Sequence, residues 1–209
     1  MMVSPDTLAV FIPAALALNL TPGNDMLFCL GQGMRAGWRA GMAASLGIAT
    51  GSLLHTLAAG IGLAALLAAH PGAFEVIRWG GVGYLVWLAV QSVRRAGDPV
   101  APAAPGPGGC WAAWREAVVV SLLNPKVAVF MLAFLPQFVD PGRGSTFLQF
   151  LVLGSLFNAG GTAVNLLVGG FAGRIGGFLQ TRRAVAHGLR YATGVIFLGL
   201  AARIALERR

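Results

Sequence analysis

The stretch LTPGNDMLF, Leu20 to Phe28, places a proline, a glycine, an asparagine and an aspartate inside an apolar run that otherwise reads as one helix. Proline removes a backbone donor and clashes with the carbonyl four residues back, which for Pro22 belongs to Leu18. A second stretch, SLLNPKVAVF, Ser121 to Phe130, repeats the device. There Pro125 sets itself against the carbonyl of Ser121, with Asn124 before it and Lys126, the only lysine in the chain, after it.

The rest of the chain says where these breaks lie. Of its 209 residues, 56% are apolar and 11% charged, well below the quarter or so of charged residues in a soluble domain. The runs from Gly41 to Ala69 and from Gly144 to Gly173 hold no Asp, Glu, Lys or Arg, and each exceeds the roughly 20 residues that cross a bilayer. Hydropathy places six spans, near 6–33, 40–69, 73–94, 115–139, 145–174 and 185–206. The sixth is the weakest, because only Tyr191 to Ala202 is free of ionisable groups. With no basic residue before Arg35, a cleaved signal peptide is not expected and the first helix should be retained.

Residues 96–113, rich in proline and glycine, read as a linker between a first three-helix unit, 1–95, and a second, 114–209. An odd number of spans per unit sends the second in from the opposite face. The expected fold is therefore all-α and integral to the membrane: six transmembrane helices as an inverted 3+3 repeat with broken first and fourth helices. Trp111 and Trp114 would stand at an interface. Gly37 with Gly41, Gly47 with Gly51, Gly169 with Gly173 and Gly173 with Gly177 are spaced for close helix approach.

The net charge of +8 comes largely from arginines between the apolar runs, so it reads as an orientation signal and not as a nucleic-acid surface. The first, third and fifth loops hold nine arginines and the opposite face five, which puts the odd loops in the cytoplasm and both termini outside.

Broken helices at bilayer depth are tolerated where the freed backbone groups face protein or a wet cavity, and paired breaks are the best sequence pointer to a transporter's binding site. Asp25 and Lys126 beside the breaks are expensive within a membrane, so they should face a cavity or each other. Ser155, Asn158, Thr162 and Asn165 on the fifth span, and Ser45, Ser52 and His55 on the second, each share a helix face and are candidates for lining a path, although such stripes also serve as packing glue. Histidine titrates near neutrality, which makes His55 a candidate proton carrier beside Asp25.

Two long blocks, TPGNDMLFCLGQGMRAGWRAGMAASLGIATGSLLHTLAAGIGLAALLAAHPGAF and LLNPKVAVFMLAFLPQFVDP, resemble the signature regions of the lysine exporter (LysE/RhtB) family, and the likeness extends over nearly the whole chain. That family often carries P-G-P-N or P-G-P-D in the first block. Here Asn24 stands for the second proline and Asp25 keeps the polar position, while Asn124-Pro125-Lys126 matches unchanged. The resemblance implies efflux of amino acids or related metabolites across a bacterial inner membrane, driven by an ion gradient. Independently, no G-x-x-x-x-G-K-[ST] phosphate loop is present.

The expected substrate site comprises Asn19, Thr21, Pro22, Gly23, Asn24, Asp25, Asn124, Pro125 and Lys126, with protons as the coupled ion and the lipid bilayer as surroundings. No cofactor, resident metal or enzymatic activity is expected, and a homo-oligomer is compatible with the pattern. Two rival classes stay open. A metal-ion exporter would draw on Asp25 and His55, and a membrane thiol-redox carrier on Cys29 and Cys110, which lack a CxxC spacing.

Overall fold

The computed structural model describes residues 2–69, 73–94, 109–174 and 183–206, and among these every regular element is helical. The first apolar run forms α1 (Pro5–Leu20) and α2 (Asn24–Ala36), which meet at 48° across the Thr21-Pro22-Gly23 break. Ser4 opens α1, its hydroxyl accepting from the Thr7 amide at 3.1 Å. Pro13 is carried inside α1 without ending it. Gly37 alone joins α2 to α3 (Trp38–Ala69), and its φ of 84° is the left-handed conformation that lets two long helices turn on one residue.

After α4 (Ala73–Arg94) the chain resumes with α5 (Cys110–Leu122) and α6 (Pro125–Val129). α6 runs into a π-helical turn, Phe130–Phe134, and a 3-10 turn, Leu135–Phe138, the whole segment bent by 52° from α5. The last elements are α7 (Thr146–Gly170) and α8 (Arg183–Leu206). α5 starts inside the stretch expected as linker, because the aromatic and alanine residues from Trp111 to Trp114 support a helical turn on which the two indoles stack at 4.9 Å. The rest of that linker up to residue 108, from 96 on, and Gly177 lie outside the described residues.

Among the described residues, Trp38–Leu66 and Thr146–Gly170 are long and apolar enough to cross a membrane alone, and the two bent pairs qualify when each is taken as one span. Leu46, Leu53 and Ile61 of α3 and Val152, Leu156 and Leu167 of α7 are exposed, an outward apolar surface that suits lipid and not water.

α3 is the central helix, packing on α5 and α7, while α4 packs on α8. Small residues set these distances. A Cβ on Gly41 would strike the Gly169 carbonyl, one on Gly47 the Trp114 carbonyl, and one on Gly51 would come within 2.6 Å of Ser121 Cβ. Gly37 and Gly173, by contrast, have nothing within 4 Å, so the pairings proposed for them are not packing seams. On the other side of the molecule the core is aromatic, with Phe11, Phe130, Phe134 and Phe157 buried together. The Phe130 ring stacks on Phe134 at 4.7 Å and on Phe157 at 4.5 Å.

Candidate functional site

Each proline removes the amide four residues on from one carbonyl, Leu18 O for Pro22 and Ser121 O for Pro125. Each still accepts a local amide, from Thr21 at 3.2 Å and from Asn124 at 3.0 Å, and each has a further donor across the bundle. The Lys126 ammonium donates to Leu18 O at 3.0 Å and to Thr21 O at 3.3 Å. His55 Nε2 lies 3.2 Å from Ser121 O, so this nitrogen carries the proton. The first break is thus closed by a residue at the second, and the second by a helix that follows the first.

Asn124 links the breaks a further way. Its side-chain oxygen accepts from the Lys126 amide at 3.0 Å, capping α6, and its Nδ2 donates to Asp25 Oδ1 at 2.8 Å. Asn124 is buried, as a residue using both ends of its amide should be. At the N-terminus of α2, Gly23 offers no side-chain cap. The first amides of that helix, and the positive end of its dipole, are left beside Asp25. Asn19 donates to Phe157 O at 3.0 Å and so ties α1 to α7.

These residues surround two chambers that meet at the breaks. The inner one, about 40 Å³, is lined by Asn19, Asp25, Met26, Asn165 and Phe157 among others, and has room for a few waters. The outer one is about 430 Å³, within the range of small-molecule sites, and is walled by the two breaks, α4 and α8. Thr21, Gly23, Asn124 and Lys126 belong to both. Pro22, Asn24 and Pro125 line only the larger chamber. All nine expected substrate-site residues therefore stand at one chamber or the other.

The expected path residues divide. Asn165 lines the inner chamber. Ser45 is buried but committed elsewhere, its single hydroxyl proton shared between Gly41 O at 2.9 Å and Asn165 O at 2.7 Å, which makes it glue between α3 and α7. Ser155 is exposed in an outward apolar groove with Val152 and Leu156, so it does not face a path. Ser52 is buried with an unpartnered hydroxyl oxygen, while Asn158 and Thr162 are half-buried and line neither chamber.

Residues that the sequence reading passed over also take part. Trp87, Gln91 and Ser92 of α4 and Arg190 of α8 wall the larger chamber, and Phe157 and Gly161 the smaller. Trp87 and Gln91 stand one helical turn apart, and that spacing was the available signal. Gln149 is another: buried on α7, it donates to Asp140 O at 2.8 Å and accepts from the Asp140 amide at 3.0 Å, pinning the loop before α7.

Among the described residues no three His, Cys, Asp or Glu side chains gather to hold a metal. Cys29 is a buried free thiol in α2 and Cys110 an exposed one at the start of α5.

Comparison with known proteins agrees with the early resemblance. The family model described as LysE type translocator matches residues 16–208. A Vibrio cholerae protein named as an uncharacterized membrane protein is 37% identical over 69% of the chain and 70% of its own length. The homoserine/homoserine lactone efflux protein of Salmonella typhimurium is 31% identical, with 69% of each chain covered. The leucine efflux protein of an Enterobacter species is 29% identical, with 93% of each covered. No solved structure matches the chain significantly.

Proposed function

The chain belongs to the LysE type translocator family, and from that premise we propose that it exports amino acids or related metabolites across a bacterial inner membrane, coupled to protons. The relatives named for efflux of homoserine, its lactone and leucine support the substrate class. One observation carries the site: Asp25 and Lys126, from opposite halves of the chain, line one buried cavity at the junction of two broken helices.

In this reading the substrate carboxylate is received by Lys126 and the amides of the first turn of α2, where the helix dipole favours an anion. Asp25, Asn19, Asn124 and the carbonyls at the breaks receive the ammonium. These groups replace the water around a zwitterion at a depth where water is scarce. Asp25 and His55 are the proton carriers.

We propose six spans in two inverted halves as part of the same reading. In it α4 and α8, of 22 and 24 residues, serve as the third span of each half. α3 packs on α7 and α4 on α8, each against the helix in the matching position of the other half. The exchange of donors between the halves, Lys126 to Leu18 and His55 to Ser121, supports this reading.

Export measured from amino-acid-loaded cells tests the site. Asp25→Asn and Lys126→Ala should each lower the rate at least about tenfold, the loss expected when a charge-assisted contact worth ~1.5–3 kcal/mol is removed. Wild-type rates in both variants would sink the assignment.

A further inference from the structure

The Lys126 ammonium is already engaged. It donates to two carbonyl oxygens of the first break, Leu18 O at 3.0 Å and Thr21 O at 3.3 Å, and among the described residues these are its acceptors. Its stem runs across Gly23, where a Cβ would stand 3.7 Å from Lys126 Cδ and 3.4 Å from Nζ. Thr21, Gly23, Asn124 and Lys126 are the residues common to both chambers, so the side chain lies in the throat between them. The two carbonyls are not alike. Leu18 O also accepts the Thr21 amide at 3.2 Å, whereas Thr21 O has the ammonium as its donor.

We infer that Leu18 O and Thr21 O form the seat for the substrate's α-ammonium, that Lys126 fills this seat in the empty protein, and that an arriving amino acid displaces it onto its own carboxylate. This deepens the export reading above and rests on it. A seat that holds one primary ammonium has the acceptor spacing that another requires. Lysine suits the exchange, being a compact charge with three donors on a flexible stem that can swing without moving its helix.

Hydrogen bonds and charge are both conserved in the swap. A buried carbonyl stripped of its donor is costly, more so at a depth where water is scarce. Lys126 therefore gives up Thr21 O when another ammonium replaces it, and the displaced cation then needs an anion, which the same molecule brings. An acid without the amino group offers that anion but leaves Thr21 O bare. A plain amine fills the seat but leaves the Lys126 ammonium unpaired in a desolvated site. A molecule carrying both groups completes the exchange, and half-substrates do not.

Lys126 is the only lysine in the chain, so a label on the lysine side-chain nitrogen reports one group. The test uses the full chain in lipid bilayers, carrying that label and a second on the threonine carbonyl carbon, read by solid-state NMR as a dipolar contact. The empty protein should show the contact between Lys126 Nζ and Thr21. Saturating leucine or homoserine should abolish it, and ligand labelled at the carboxylate should show a new contact with Nζ. Isocaproate, which is leucine without its amino group, should leave the Thr21 contact in place.

A Thr21 contact absent from the empty protein, one that persists under both amino acids, or one that isocaproate removes as fully as leucine does would overturn the inference. Efflux from vesicles made with the same protein separates this from the wider reading. Leucine or homoserine leaving faster than from protein-free vesicles keeps the export reading even where the displacement fails, and neither leaving faster than that baseline sinks both.

Discussion

Asn124 is the one side chain that holds both breaks at once, so its replacement separates cap from link. In Asn124→Leu the branched shape is kept, but the N-cap of α6 goes and Asp25 loses its donor. Cap loss costs about 1 kcal/mol and a hydrogen bond to a charged group about 1.5–3 kcal/mol, together roughly 2.5–4 kcal/mol. Asn124→Ser keeps a good cap yet is too short to span the 2.8 Å contact to Asp25. At roughly 2–4 °C for each kcal/mol lost, the serine variant should therefore unfold in detergent roughly 3–12 °C below wild type, and the leucine variant, which loses the cap as well, roughly 2–4 °C lower still. In export assays both should drop about tenfold to a hundredfold, the factor that 1.5–3 kcal/mol represents at the Asp25 link alone. If both variants export at wild-type rates and melt with wild type, the link has no functional part and the reasoning fails.

Further outcomes follow from other contacts. His55→Gln keeps a donor toward Ser121 O but cannot carry a proton, so it should fold normally and lose proton-coupled accumulation against a gradient; retained coupling would remove His55 from the proton path. Gly41→Ala drives a methyl into the Gly169 carbonyl and should destabilise by about 1–3 kcal/mol, read as a lowered midpoint of thermal unfolding. The double change Cys29→Ser with Cys110→Ser should leave export unchanged, and total loss of activity would revive a thiol-redox role. Arg143→Ala removes a half-exposed pair with Asp140 at 3.2 Å and should shift stability by no more than about 1 kcal/mol.

Pro22 and Pro125 could be read from the sequence with their consequences, because the carbonyl that loses its regular helical donor is fixed by local geometry. The long-range donors that reach those carbonyls could not, since Lys126 is 108 residues from Leu18 and His55 is 66 from Ser121. The apolar runs located the helices to within a few residues, and the turn at Gly37 was shorter than hydropathy windows resolve. Ser155 misled for a geometric reason: spacings of three and four spread a stripe over about 80° of helix surface, enough for one edge to face outward while Asn165 faces in. Arg190 was counted as a loop charge, but the eighth helix begins before it and draws it into the wall of the larger chamber. The π turn after α6 left no trace, because one extra residue per turn does not change which residues are apolar.

The glycine seams divide the molecule mechanically. α2 and α3 meet α7 at Gly33, Gly41 and Gly169, and α3 meets α5 at Gly47 and Gly51, all with backbone or Cβ atoms in direct touch. Surfaces mated that closely have no slack in which to slide. Opposite them, α1, α4, α8 and the turns after α6 rest on phenylalanine rings and longer side chains, which can change rotamer and let their helices tilt. Both hollows lie along the boundary between the stiff part and the pliant one. In the export reading proposed above, the pliant helices are the ones expected to move, with the other four as their frame.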